Sequence, residues 1–103
     1  MDGPGLTQEA EDYVNEKHVE GGAKVDNSKS TFKKGSDLDA LADAAEDIPA
    51  RGPNKYGNYE REVDAGPGND VGNVSKDEGG ASTTRYKVIT DRWGTVLNLF
   101  PVK

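Results

Sequence analysis

The sequence predicts an α+β fold in which two N-terminal helices pack on a small antiparallel sheet of three to five strands ending in a C-terminal hairpin. Apolar residues recur at helical spacing only in the first half of the chain. β-Branched and aromatic residues concentrate near its end, in two runs separated by Gly94. With 103 residues, 32% of them apolar and 31% charged, the chain is expected to form one domain with a thin core.

The first helix is predicted over residues 7–17. Ala10 and Val14 belong to an apolar stripe at helical spacing, and Thr7 is a favourable N-cap with acidic residues in the turns that follow. A Gly-Gly pair soon after His18 stops the helix. The single histidine of the chain therefore lies at a helix end.

The second helix is predicted over residues 36–48. Ser36 and Asp39 have the spacing of a capping box, and Pro49 ends the helix. Its apolar stripe consists of Leu38, Leu41, Ala42 and Ala45. We expect this stripe to cover one face of the sheet.

The strands are predicted in the second half of the chain. Residues 59–64 alternate as a half-buried strand does, with acids on the polar face. Residues 65–81 are predicted to be a Gly-rich loop, interrupted at most by a short strand near residues 71–74, and residues 1–6 to be flexible. The runs "TRYKVITD" and "TVLNLFPV" predict the closing hairpin, because Gly94 in "DRWG" can adopt the positive φ of a bulged turn.

The composition excludes several classes of protein. The chain has no Cys, which excludes a disulfide framework, a thiolate metal site and a Cys nucleophile. No apolar run approaches the roughly 18 residues that a membrane-spanning helix needs. The N-terminus lacks the basic and apolar regions of a signal peptide, so we expect an exported form to travel as part of a longer chain.

The net charge of −6 is unevenly distributed. Residues 1–50 contain five Lys and twelve Asp or Glu, giving −7, whereas residues 51–103 contain eight Lys or Arg and seven Asp or Glu, giving +1. The acidic front half argues against nonspecific coating of nucleic acid, since phosphate affinity comes mostly from Lys and Arg. It leaves room for a local cationic pocket and for a basic protein partner.

His18 is the first candidate catalytic residue. An imidazole can act as both base and acid near neutral pH without large tuning. Five Lys residues lie nearby in the sequence. The alternative is a helix-terminal His that only complements the helix dipole.

The loop after His18 is a candidate phosphate site. Lys24 and Lys29 supply ammonium groups, and Ser28 and Ser30 supply hydroxyls, in a loop that runs towards a helix start. The alternative is a solvated loop with ordinary capping of the second helix.

Thr84, Arg85 and Tyr86 place a hydroxyl, a guanidinium and a phenol at the open end of the hairpin. Strand alternation puts Thr84 and Tyr86 on one face and Arg85 on the other. The alternative is plain strand propensity, which favours Thr and Tyr. The acids of residues 59–64 are interpreted as a solvated strand edge, and no metal site is predicted.

The closing run "TTRYKVITDRWGTVLNLFPV" has the pattern Thr-x-Tyr-x-Val-(Val/Ile)-Thr-Asp-x-x-Gly-x-Val-x-x-x-(Tyr/Phe)-Pro between Thr84 and Pro101. Before it come helices with a lone His and a Lys/Ser/Thr junction, "NEKHVEGGAKVDNSKSTF". This organisation resembles the small ribonuclease toxin domains of the barnase–EndoU–colicin–RelE (BECR) superfamily. It is similar in particular to C-terminal toxin domains of contact-dependent growth inhibition proteins, some of which cleave tRNA.

The resemblance implies metal-independent RNA cleavage without a cofactor: a base removes the 2′-OH proton, the oxygen attacks the adjacent phosphorus, and a 2′,3′-cyclic phosphate forms. Cations and hydroxyl donors stabilise the charged transition state. The catalytic roles implied for this chain fall on His18, Lys29, Thr84, Arg85 and Tyr86. The substrate-binding roles fall on Lys24, Ser28, Ser30 and Arg61.

The resemblance also implies partners and a location. They are RNA, with tRNA the expected substrate, and a cognate immunity protein, the domain otherwise being monomeric and without stable membrane association. It implies delivery as the C-terminal part of a larger secreted or cell-surface protein and action in the target-cell cytoplasm. RNA-cleaving domains are often basic, and the charge of −6 departs from that pattern.

Two other function classes stay open. One is a non-catalytic acidic immunity or inhibitor protein that covers a basic nuclease, since complementary fields speed and orient association. The other is a small secreted interaction domain whose Gly-rich region folds on partner contact. A converging group of cations and hydroxyls favours the ribonuclease, whereas converging acids favour the inhibitor.

Overall fold

The computed structural model describes residues 5–103. It confirms the α+β class, with two helices and two sheets of four and three strands. The elements are β1 (Gly5–Leu6), α1 (Gln8–Lys17), β2 (Thr31–Phe32), α2 (Leu38–Asp43), β3 (Tyr59–Asp64), β4 (Gly72–Asn73), a 3₁₀ turn (Lys76–Glu78), β5 (Ser82–Thr83), β6 (Arg85–Thr90) and β7 (Thr95–Val102).

Helix α1 begins and ends where the sequence predicts. The Thr7 hydroxyl accepts a hydrogen bond from the Ala10 N–H at 3.1 Å, which satisfies one of the free amides of the first turn. The helix ends at His18, whose N–H donates to the Val14 carbonyl at 2.7 Å. The buried side of α1, Ala10 and Val14, packs on β7.

Helix α2 is shorter than predicted, and another residue caps it. The Asp37 carboxylate accepts from the Ala40 N–H at 3.1 Å, whereas the Ser36 hydroxyl donates to the Lys33 carbonyl at 2.6 Å. The helix ends at Asp43, well before Pro49. The physical reason is charge: the last turn carries no basic residue, and acids there oppose the helix dipole.

The main sheet has the strand order β1-β7-β6-β3. Strands β6 and β7 form the predicted hairpin, and Gly94 adopts a φ of +84° in its turn. Strand β3 pairs antiparallel with β6 on the side away from β7. Val88 and Leu99 face each other across the hairpin and are fully buried.

A second sheet, with the order β2-β4-β5, corrects the expectation of a single antiparallel sheet. In addition β1 runs parallel to β7, so the main sheet is mixed. The extra strands are two residues long and lack a periodic pattern, because pairing rather than propensity creates them. At Gly72 a Cβ would clash with the Thr31 carbonyl oxygen, which explains the glycine at this close approach.

Two of these short strands, β1 and β4, lie in segments that the sequence predicts to be irregular. Residues 1–4 of the segment 1–6 lie outside the described residues, and Gly5–Leu6 form β1. Within residues 65–81 the structure places β4 and the 3₁₀ turn.

The core lies between the helices and the main sheet. Tyr86 and Phe32 are its largest buried side chains, with ring centroids 5.8 Å apart in an edge-to-face arrangement. The Tyr86 hydroxyl donates to the Leu41 carbonyl at 2.7 Å and so ties α2 to β6. Among residues 5–103, no helix combines the length and apolar character that crossing a bilayer requires.

Candidate active site

A polar cavity of about 270 Å³ opens at the C-terminal end of α1. His18 lines it from the helix end, Ser28 and Ser30 from the following loop, and Asn98 and Phe100 from β7. This part of β7 lies beyond its pairing with β1, which reaches only Thr95 and Val96. The cavity thus lies beside the part of β7 that pairs with β6 but no longer with β1.

His18 is held in one orientation. Its Nδ1 lies 2.8 Å from the Ser30 carbonyl oxygen, and its ring lies against Phe100, with centroids 5.5 Å apart. A carbonyl oxygen can only accept, so Nδ1 carries the proton in the neutral ring and Nε2 keeps its lone pair. The resulting tautomer is the one that a general base at Nε2 requires.

The electrostatic surroundings keep His18 neutral. Burial lowers the pKa of its imidazole below the ordinary 6.5, the Ser30 carbonyl opposes this by favouring the charged ring, and the positive charges of Lys29 and Lys17 lower it further. At pH 7 the ring is therefore ready to accept a proton.

Asn98 is a site residue that the sequence analysis missed. Its Oδ1 is buried and has no hydrogen-bond partner among the described residues, although its side chain lines the cavity. A buried acceptor left unpaired costs about 1–3 kcal/mol. The available signal was an Asn within a β-branched and aromatic run, since Asn is depleted in strands.

Asp26, also missed, organises the loop beside the cavity. Its carboxylate accepts from the Ser28 N–H at 2.8 Å and the Ser28 hydroxyl at 2.5 Å, and it pairs with the Lys29 ammonium at 3.6 Å. The Ser28 hydroxyl and amide lower the pKa of Asp26 most, with Lys29 adding to the effect. Lys29 lines a neighbouring cleft of about 310 Å³ rather than the His18 cavity.

Lys24 lies outside the cavity. Its ammonium is 3.3 Å from the Glu16 carboxylate on α1, in an exposed pair. The charged residues that do line the cavity are Glu78, from the 3₁₀ turn, and Lys103, after β7.

The structure does not bring Thr84, Arg85 and Tyr86 to His18. Thr84 donates to the Asp64 carboxylate at 2.8 Å, and Arg85 pairs with Glu62, both on β3. Tyr86 is 1% exposed and bonded to α2, and burial raises the pKa of its phenol to about 12. Although the Arg85 and Tyr86 backbones pair with the end of β7, the side chains of Thr84 and Arg85 bond towards β3 and that of Tyr86 towards α2, so none of the three lines the cavity.

Arg61 is also engaged in packing. Its Nε donates to the Ile48 carbonyl at 3.1 Å and its Nη1 to the Thr90 hydroxyl at 3.2 Å. These bonds fasten the segment after α2 to the main sheet. None of the cavity lining comes from this side chain.

No family model matches the chain, and no curated protein or solved structure shows significant similarity to it. Within residues 5–103, His, Asp and Glu side chains form no group of three that could hold a metal ion. The cavity at His18 thus offers acid–base and hydrogen-bonding chemistry, from an oriented imidazole, an unpaired amide oxygen and hydroxyls.

Proposed function

We propose that this chain is an endoribonuclease toxin domain whose catalytic centre is the His18 cavity. The observation that carries the proposal is that an oriented neutral imidazole and Asn98, whose buried Oδ1 has no partner among the described residues, line the same cavity. Two helices against a C-terminal hairpin are compatible with a BECR-type arrangement, which is part of the proposal.

In the proposed cleavage reaction, the residues that line the cavity have separate roles. Nε2 of His18 accepts the proton of a ribose 2′-OH, and that oxygen attacks the adjacent phosphorus to give a 2′,3′-cyclic phosphate. Lys103 lines the cavity, and its ammonium group supplies positive charge for the developing negative charge. The leaving 5′ oxygen takes its proton from solvent at this open mouth.

Asn98 supplies recognition in this scheme. Its Oδ1 accepts a hydrogen bond from a base amino group or a ribose hydroxyl, both of which are donors that RNA presents. A substrate that lacks such a donor leaves the oxygen unpaired, so the amide discriminates among ligands. Phe100 offers an aromatic surface beside it for an unstacked base.

The biological setting extends the same proposal. The domain would be delivered as the C-terminal part of a larger secreted or cell-surface protein and would act in the cytoplasm of a target bacterium. tRNA is the expected substrate, and a cognate immunity protein would protect the producing cell. The domain would otherwise be a monomer without stable membrane association and without a cofactor.

A non-catalytic acidic inhibitor of a basic nuclease is the second candidate function. The observation that favours it lies in α2 and its flanks, where residues 35–50 contain five acids and no Lys or Arg. Such a surface complements a cationic protein.

RNA analysis in bacteria tests the proposal. The chain is expressed from a tightly controlled promoter and total RNA is resolved on a denaturing gel, where discrete tRNA-sized fragments are expected. His18→Gln should abolish the fragments, since it removes the ring nitrogen that takes the proton, while Thr84→Ala serves as the matched control that retains them. Intact RNA from a soluble, folded wild-type chain would refute the ribonuclease and favour the inhibitor.

A further inference from the structure

A groove elsewhere on the molecule shares no lining residue with the His18 cavity. It has a volume of about 620 Å³ and lies between α2 with its following turn and the segment from β3 to β4. Leu41, Ile48 and Val71 are half-buried hydrophobic residues that line it, and Ala40 and Ala44 are exposed along its α2 side. The groove is therefore open and mostly apolar.

The rim of the groove is acidic. Asp37, Asp64 and Asp70 line it, against the single cation Lys33. The amide of Gly66 and the hydroxyl of Thr84 lower the pKa of Asp64 and keep it ionised. Exposed acids continue along α2 and the turn after it at Asp39, Asp43, Glu46 and Asp47.

These acids have no internal counter-ions among the described residues. The four ion pairs within residues 5–103 use Glu16, Asp26, Glu60 and Glu62, none of which lies at the groove. Unpaired like charges repel each other, so a cationic partner would relieve repulsion as well as add attraction.

We propose that this groove is the docking site for a basic amphipathic segment of a partner protein. An apolar side chain of the segment enters over Leu41 and Ile48, and flanking Lys or Arg side chains pair with the acids of α2. This inference goes beyond the proposed ribonuclease, because it concerns a surface apart from His18 and holds whether or not RNA is cleaved.

The charge of the rim disfavours the other occupants. Nucleic acid and anionic lipid both bring phosphates, which the acids repel. A second copy of this chain brings a charge of −6 to a surface that is already acidic. A small apolar ligand carries no positive charge, so it would not interact with the acids of the rim.

A synthetic peptide tests the docking site. The probe is a fluorescent helix of about 18 residues made of Leu and Lys, with Leu at i, i+3, i+4 and i+7 so that one face is apolar. Fluorescence anisotropy at about 0.15 M salt should give a Kd in the low micromolar range. A peptide of the same composition in scrambled order should bind at least about tenfold more weakly.

Two matched variants separate the groove from bulk charge. Ala44→Arg fills the groove and should weaken binding at least about tenfold, whereas Ala23→Arg makes the same charge change at an exposed residue outside the groove and should weaken it less than about twofold. Amide NMR shifts on the wild-type chain should change at residues 37–48 and 63–71, and this measurement needs no variant.

Several results would overturn the inference. Equal weakening by the two Arg variants, or equal binding of the scrambled peptide, would mean that bulk charge alone drives binding. NMR shifts confined to the His18 cavity would place the peptide elsewhere. Concentration-dependent dimerisation that Ala44→Arg abolishes would assign the groove to a second copy, and equal binding of a Leu and Glu peptide would remove the role of the acidic rim.

Discussion

The unpaired amide oxygen of Asn98 predicts that a substitution at the candidate active site stabilises the fold. Asn98→Leu replaces the buried Oδ1 with a methyl group of similar shape and so removes an unpaired acceptor that costs about 1–3 kcal/mol. We expect the free energy of unfolding to rise by about 1–2 kcal/mol and the melting temperature by about 4–8 °C for each kcal/mol. RNA cleavage should also fall, since the variant has no Oδ1 to accept a hydrogen bond from the substrate.

Asn73 supplies the matched control. It is also an Asn within a strand, but its Nδ2 donates to the Gly80 carbonyl at 3.0 Å. Asn73→Leu should therefore lower the free energy of unfolding, by about 0.5–1 kcal/mol for a lost hydrogen bond at an exposed site. The two Leu variants differ in the partner of the amide and should shift stability in opposite directions.

Urea denaturation followed by circular dichroism measures both variants, with the slope of the transition checked for two-state behaviour. Destabilisation of Asn98→Leu by more than about 1 kcal/mol would refute the reasoning, because Oδ1 would then have a partner in the folded protein. Stabilisation with undiminished RNA cleavage would remove Asn98 from the catalytic centre while leaving the packing argument intact.

Two other predictions concern aromatic side chains. Tyr86→Phe removes the hydrogen bond to the Leu41 carbonyl, so urea denaturation should show a free energy of unfolding lower by about 1 kcal/mol, with RNA cleavage per folded molecule unchanged. A tenfold loss of cleavage at unchanged stability would instead indicate a catalytic role for the phenol. Because the folded-state pKa of His18 is lowered below 6.5, the unfolded chain binds more protons, so stability should fall as pH drops from 6.5 through the folded-state pKa and be independent of this group above 6.5. Urea denaturation across this pH range should show that the free energy of unfolding changes less with pH in His18→Gln than in the wild type. An unchanged pH dependence would assign the effect to other groups.

The sequence predicts the elements that local signals define. Thr7 caps α1 through its own hydroxyl, and Gly94 closes the hairpin through its positive φ, so both depend on neighbouring residues alone. The alternation of residues 59–64 likewise predicts β3 correctly. Of the two-residue strands, only β4 lies where the sequence allows a short strand, near residues 71–74. The others have no local signal, because pairing with a distant strand creates them.

The site was predictable where it is local in sequence. His18, Ser28 and Ser30 meet because the loop after α1 folds back on the helix end. The hydrogen bond between His18 Nδ1 and the Ser30 carbonyl oxygen holds the loop there. Alternation indicates which face of a strand a side chain takes, but not which strand lies alongside. The acids of β3, interpreted as a solvated edge, do lie on the edge strand of the main sheet, and they also pair with Arg85, Lys87 and Thr84, which the sequence did not indicate.

This pairing changes what the proposed ribonuclease can recognise. Three cations expected to bind phosphate are already paired with carboxylates: Lys24 with Glu16, Lys29 with Asp26, and Arg85 with Glu62. Each pair must open, or share its charge, before it adds to phosphate affinity, so counterion release contributes little to binding. Discrimination then depends on groups that read hydrogen bonds and shape, Asn98 and Phe100 above all. Such a site favours one structured RNA over bulk RNA, as expected of a toxin that cleaves tRNA despite a net charge of −6.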